Sequence, residues 1–308
     1  MSNISLRWTP DEVSKSDARP LTGRHELHNR KMFNDQSLAM MLDRLSRKQV
    51  AAYAMHMAED GRGVRRKGRI GRLSGAELID AVEAGRFWLE IESPEQHLDQ
   101  YADLFDEIFA DLHEQTPGLR VFGRKMSLVI SSPGAESVYD ACLPLETVWQ
   151  VRGERMVHIY PIGAPFISDE QMERIALGEE ADGLNYNVGF EARAEIVKLA
   201  PGRVATWPQT APHRIVNGDG LNVAIRCAFY DWRAAVRADA LRANALLRRR
   251  FGRTPISAKD GLIATHAKAA LGRGASLFSS GKSEPRTIPA TFKIDPASAN
   301  AVKDLAAA

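Results

Sequence analysis

Four side chains able to hold a metal ion or move a proton recur at ordered intervals in this sequence: Asp140, Cys142, Glu146 and His213. Gly134 leads after five residues to Asp140, Cys142 stands two positions on, Glu146 follows after three more residues and Gly153 after six. Further along, Gly202 leads after five residues to Pro208, after four to His213 and after three to Asn217. Side chains alternate across a strand, so positions 140 and 142 share one face. Glu146 lies further along the same hairpin, and His213 follows the turn from Pro208 to Pro212. Carboxylate and imidazole, with a thiolate beside them, suit a divalent Fe, Mn or Zn ion. The glycines and Asn217 suit tight turns.

Such residues need short strands to bring them together. From Lys125 the pattern reads as strands over 126–130, 147–151, 156–160, 195–199, 203–207 and 221–230, separated by Gly, Pro and Asn turns. That density argues for a barrel or sandwich, with His213 on a strand that closes around the same hollow. A capping box at Ser168–Gln171 opens a helix between the strands. Upstream, the region 1–118 reads as mainly helical, with helices over 37–45, from Ser74, and from a second capping box at Ser93–Gln96 whose apolar face runs from Leu98 to Leu112. Trp232 to Arg250 reads as another helix. The first ~20 residues are polar and aperiodic, and the stretch past Gly274 is rich in Ser, Gly, Pro and Ala, so both ends are expected to be loose.

The two spacings resemble the two cupin motifs. The stretches Trp149–Arg155 and Ala211–Gly218 are similar to those of bacterial cupin-like proteins related to JmjC oxygenases. The resemblance is firm over 125–230 and loose outside it. It implies an α+β protein: a double-stranded β-helix, the cupin or jelly-roll barrel, with a helical N-terminal region and a C-terminal helical extension. The chain then divides into 1–118 packed on the barrel, the barrel core 119–231, the extension 232–273 and a mobile tail 274–308.

The resemblance also implies a ligand set. Active relatives hold Fe(II) with a His-x-Asp or His-x-Glu pair and a distal histidine, leaving positions for 2-oxoglutarate and oxygen. Here the pair reads Asp140-Ala141-Cys142, and only His213 keeps its expected identity. Two readings stay open: Asp140, Glu146, His213 and Cys142 hold a divalent metal of altered selectivity, or the metal is lost and the hollow is a binding pocket. In the same relatives a basic residue after the first motif pairs with the distal carboxylate of 2-oxoglutarate and a hydroxyl residue before it assists. Arg155 and Ser137 occupy those positions.

The preferred expectation is therefore a binding or regulatory module for a small acidic or peptidic ligand with a degenerate iron site. The alternative is a metal-dependent 2-oxoglutarate oxygenase with unusual ligands, Fe(II) being its metal. A nucleic-acid-associated regulator is the third and weakest, since it rests on two arginine clusters alone, Arg62–Arg72 and Arg242–Arg253. The first cluster, rich in glycine, reads as an exposed loop and the second as the polar face of a helix, so solvated surfaces are preferred to nucleic-acid contacts.

With 308 residues, 44% hydrophobic and 26% charged, the chain has ordinary globular composition and enough length for a sizeable core. Its formal charge of +2 selects no partner. Two cysteines without a CxxC pair, no signal peptide and no apolar run of membrane-spanning length give the expectation of a cytoplasmic protein that meets no membrane. His25 and His28 lack the spacing of a zinc helix and read as surface residues, and His158 as structural. The apolar side of the 232–250 helix would suit a homodimer contact if its own chain left it uncovered.

Overall fold

The computed structural model describes residues 4–8, 17–58, 63–179, 183–251 and 289–305. In chain order the elements are β1 (Leu21–Arg24), α1 (Asp35–Arg44), β2 (Val50–Met57), β3 (Gly63–Arg69), α2 (Gly75–Ala84), β4 (Trp88–Glu92), α3 (Asp99–Gln115), β5 (Phe122–Ser131), β6 (Leu145–Arg152), β7 (Arg155–Ile159), α4 (Asp169–Ala176), β8 (Glu195–Leu199), β9 (Arg203–Thr206), β10 (His213–Asn217), β11 (Asn222–Tyr230), α5 (Trp232–Phe251), β12 (Ala290–Ile294) and β13 (Val302–Asp304). Each strand expected between residues 126 and 230 is present, with ends displaced by four residues at most.

Two sheets face each other. The larger runs β1-β9-β6-β11-β5-β4-β2-β3-β12-β13 and the smaller β10-β7-β8, with the segment 136–140 bridged to β10 at Glu136–Val216 and Asp140–His213. Following the chain, β5 is in the large sheet, 136–140 in the small, β6 in the large, β7 and β8 in the small, β9 in the large, β10 in the small and β11 in the large. This winding is a double-stranded β-helix. Gly153 makes the tight turn from β6 to β7 with φ +68, and a Cβ there would stand 2.6 Å from the Leu221 carbonyl oxygen, so only glycine fits without strain.

Alternation gives the large sheet two apolar faces. Leu128, Ile130, Trp149, Val223 and Ile225 pack on the back against Leu38 and Met41 of α1, Leu78 and Val82 of α2, and Leu104, Ile108 and Leu112 of α3. Val148, Ala205 and Ala224 point forward and meet Val157, Ile159, Val197 and Leu199 of the small sheet. The forward layer is made of shorter side chains, and toward one end of the barrel it gives way to a cavity. The helices α2 and α4 start as expected, with Ser74–Glu77 and Ser168–Gln171 each forming a reciprocal capping box.

The N-terminal region is less helical than its sequence suggests: α1, α2 and α3 alternate with β1 to β4, and β4, β2 and β3 extend the large sheet beyond the barrel. The alanines of β2 hid its alternation, although Val50, Ala52 and Ala54 are buried in strand period. The arginine-rich stretch expected as a loop is β3, fixed between β2 and β12. The capping box expected at Ser93 does not form. Ser93 is left-handed (φ 49), Pro94–Gln96 is a single 3-10 turn, and α3 starts only at Asp99.

Both ends are partly ordered, contrary to expectation. Ile4 and Leu6 are buried, and the Leu6 amide donates to Asp111 at 3.0 Å. In the expected tail, β12 pairs in parallel with β3 and antiparallel with β13, and Phe292 is 0% exposed. The rest of the tail expectation, and residues 252–273 of the expected extension, lie outside the described residues. Within α5, Val236, Ala240 and Ala243 are buried by their own chain, whereas Trp232 at the start of the same side is 58% exposed. None of the helices among the described residues is long and apolar enough to cross a membrane.

His25 is a core residue rather than a surface one. It is 2% exposed, its Nε2 lies 3.1 Å from the Arg203 carbonyl oxygen, and its Nδ1 accepts from the Leu27 amide at 3.1 Å. Burial, against the pull of the Arg203 carbonyl and helped by the charge of His28, lowers its pKa to about 4. The unfolded chain therefore binds a proton between pH 6.5 and 4 that the folded chain refuses. Stability is full above pH 6.5 and falls as the pH drops to about 4, by on the order of 3 kcal/mol from this residue alone. Urea unfolding at stepped pH measures it, and His25→Gln is expected to flatten the slope; an equal slope in the variant would refute the assignment.

Candidate functional site

The cavity lies between the sheets, lined by Cys142, Glu146, Asp140, His213, Arg155 and Ser137 among others, with ≈ 870 Å³ of empty space out to its open mouth. His213 opens β10 and points inward, its Nδ1 set toward the Ala211 carbonyl at 3.0 Å and its ring 4.6 Å from that of Trp207. This leaves Nε2 facing Glu146 Oε2 at 3.7 Å. Glu146 comes from the start of β6, the next inward strand residue before Val148, and Cys142 from the segment leading into β6.

One ligand atom each from Cys142, Glu146 and His213 lie within 4.8 Å of one another, a grouping that could hold a metal ion. Asp140 lines the same cavity but is not part of this group. Its Oδ1 accepts from the Ala141 amide at 2.8 Å. Burial raises the Asp140 carboxyl, more than His213, the Ala141 amide and Arg65 lower it. Burial likewise pushes the Cys142 thiol well above its usual range, reinforced by the negative charges of Glu146 and Asp140. Cys142 and Cys227 are both free thiols, and Cys227 faces the helices on the other side of the large sheet.

The donor set departs from the two-histidine iron centre. His213 is the single histidine on the cavity wall among the described residues. His158 sits on the outward face of β7, where its Nδ1 is 2.8 Å from Glu191. Glu191 also accepts from Tyr160 at 2.5 Å, Tyr186 at 2.6 Å and Arg214 at 3.0 Å. Partial burial would raise the Glu191 carboxyl, but these donors hold it at about 2. The cluster fastens the stretch after α4 to the back of the small sheet. The residues present do fit a divalent ion through thiolate, carboxylate and imidazole.

Arg155 opens β7 opposite Asn217, four residues and roughly 13 Å along β10 from His213. It is 4% exposed and lines the cavity, yet its Nε and Nη2 have no hydrogen-bond partner among the described residues. Burial lowers its pKa to about 10. A buried guanidinium with no carboxylate paired to it among the described residues is costly by several kcal/mol, so the fold holds it where an anion would relieve it. Ser137, expected to assist it, is engaged by the backbone: its hydroxyl accepts from the Ile215 amide at 2.8 Å and donates to the Val138 carbonyl at 3.1 Å. It staples the segment 136–140 to β10, because that segment is too irregular to pair by a full ladder.

No family model and no curated protein matches the chain. Among solved structures it is similar to YcfD from Escherichia coli, with a TM-score of 0.49 and 15% identity over 91% of this chain and 70% of that one. A second structure of YcfD, described as a ribosomal oxygenase in complex with cobalt and 2-oxoglutarate, gives a TM-score of 0.46 and 15% identity over 90% and 69%. A cupin superfamily protein from Desulfitobacterium hafniense matches 35% of this chain and 68% of its own, with a TM-score of 0.22 and 13% identity.

The barrel has the double-stranded β-helix winding of the cupin fold. Strand order and winding decide this, together with glycines and Asn217 at the turns where the two motif spacings require them: Asn217 donates to Ser131 Oγ at 2.8 Å and to the Ser132 carbonyl at 2.9 Å, closing the end of β10.

Sequence reasoning missed two arginines of this cavity. Arg226 reaches it from β11, paired with Glu90 Oε1 at 2.5 Å and 3.9 Å from Glu146 Oε1. Arg65 reaches it from β3, outside the barrel. The period-two pattern of β11 could have placed Arg226 beside Ala224 on the inward face; nothing local marks Arg65. The second arginine cluster is tied to acidic partners, with Arg248 on Glu173, Arg249 on Glu179 and Arg242 on Asp239, which supports a solvated surface over a nucleic-acid face. Arg62 and Arg253 lie outside the described residues.

Proposed function

We propose that this protein is a small-acid-binding cupin barrel in which Cys142, Glu146 and His213 hold a divalent ion in place of the two-histidine iron centre, and Arg155 holds a carboxylate of the ligand. The observation that carries the reading is Arg155, a buried guanidinium on the cavity wall without a hydrogen-bond partner on Nε or Nη2 among the described residues. Its fork suits a carboxylate in a way that a point charge would not. Asp140, its carboxyl raised by burial, lines the same cavity beside these groups.

Calorimetric titration with succinate and with 2-oxoglutarate, with and without added Mn(II), tests the reading. Binding of at least one acid is expected, with an affinity about 30-fold or more weaker in Arg155→Met. Absence of binding to the wild-type protein, or equal affinity in the variant, would overturn it.

A second reading, a 2-oxoglutarate oxygenase with unusual ligands, draws on the three candidate ligand atoms lying in the same cavity as Arg155. A bound Fe(II) would supply oxygen activation there. In that case Arg155 fixes the far end of 2-oxoglutarate and His213 keeps its ring orientation through the Ala211 carbonyl. Release of succinate from 2-oxoglutarate under air with Fe(II) decides for this reading over simple binding.

A further inference from the structure

One arginine stands between two buried carboxylates on the inward face of the large sheet. Arg226 of β11 donates from Nη2 to Glu90 Oε1 of β4 at 2.5 Å, and its Nε lies 3.9 Å from Glu146 Oε1 of β6, an ion-pair distance. Glu90 is 6% exposed and Glu146 5%. The other oxygen of Glu146, Oε2, is the one that faces His213 Nε2 at 3.7 Å. The carboxylate is thus divided, one oxygen toward a fixed cation and the other toward a candidate ligand.

Strand register explains why Arg226 is the residue that reaches. Ala228 stands directly opposite Glu146 in the ladder between β11 and β6 and offers the carboxylate only a methyl group. Arg226 is two positions away on the same face of β11, the diagonal from which a long side chain meets its neighbour. On the other flank, β5 places Val129 opposite Glu90, an apolar side chain that competes for neither charge. Glu90 belongs to the extension of the sheet, so β4 reaches the candidate metal site through this pair. A planar guanidinium holds two carboxylates on different edges in fixed directions, which the point charge of an ammonium does not do.

We infer that Arg226, anchored by Glu90, is a positioning residue for the candidate metal centre: it holds Glu146 Oε1, so that Oε2 alone is offered to the ion. Metal ligands are commonly oriented by such outer partners, ligating carboxylates included. The inference rests on the proposed role of Cys142, Glu146 and His213 and deepens it by naming what fixes the one carboxylate among them. Because Arg226 and Glu90 carry opposite charges, together they orient Glu146 without altering the net charge that the ion meets.

Cobalt(II) titration of the full chain tests the role. Glu90→Gln and Arg226→Met are made together, which removes the pair without leaving Glu90 as an unpaired buried charge. Cobalt affinity is expected to fall about 10–100-fold in this variant. In a Glu146→Ala background the same two substitutions are expected to change affinity by about 2-fold at most, since Arg226 acts through Glu146. A pair with a merely structural role would cost the same in both backgrounds. Arg226→Lys, which keeps the charge but cannot hold two carboxylates, is expected to lose affinity to a smaller extent and tests the role in a less disruptive variant. Unchanged cobalt affinity in either variant, or the same loss with and without Glu146, would overturn the positioning role alone. Absence of cobalt binding to the wild-type protein would strike the metal centre itself, and this role with it.

Discussion

Replacing His213 by alanine is expected to lower divalent-metal affinity at least about 100-fold, because losing a metal ligand costs more than losing a residue that merely orients one, itself worth about 10–100-fold. In this protein the orienting contact is the Ala211 carbonyl on Nδ1, which leaves Nε2 for the ion. Cobalt(II) titration reads the result directly, since a thiolate on cobalt gives a charge-transfer band: the band is expected in the wild-type protein, weakened in His213→Ala and absent in Cys142→Ser. Acidification is expected to weaken the site as well. Burial and the neighbouring carboxylates keep the Cys142 thiol protonated in the empty cavity at neutral pH, so the incoming ion displaces that proton and affinity climbs with pH. A cobalt complex without the thiolate band, or affinity independent of His213, would remove the metal centre and leave the cavity as an acid pocket alone.

The second large effect is on stability. Phe292→Ala is expected to destabilise the fold by about 3–5 kcal/mol, the range for a fully buried phenylalanine. Phe292 sits over Gly68 of β3, where a Cβ would stand 2.3 Å from its ring, and it joins the core of the large sheet with Ile294. The absence of a side chain at position 68 makes the seat. Gly68→Val is therefore expected to displace the same hairpin. Urea unfolding measures both. A change under 1 kcal/mol in Phe292→Ala would show that β12 is not an integral strand.

The elements around the site show how far the chain can be read without coordinates. His213, Glu146 and Cys142 were legible because their register depends on strand alternation and turn glycines, both local properties. Helices α2 and α4 were legible for the same reason, since a capping box is complete within four residues. Ser93–Gln96 carries the same local signal and fails, because the chain there turns into α3 only after a left-handed residue and a 3-10 turn. Local preference lost to tertiary placement.

What the sequence determined by itself is the barrel and the set of side chains facing its hollow: Asp140, Cys142, Glu146, Arg155 and His213 line one cavity. What only the tertiary structure decided is how they divide, with Cys142, Glu146 and His213 as a compact group and Asp140 apart from it, and that β4, β2, β3 and the C-terminal hairpin lengthen the sheet. Pairing of β3 with β12 joins residues more than two hundred positions apart, and burial of His25 depends on the Arg203 carbonyl. Periodicity and spacing act within a few residues; edge pairing, burial and side-chain direction are set by which distant segments compete for the same surface, a choice made only when the whole chain packs.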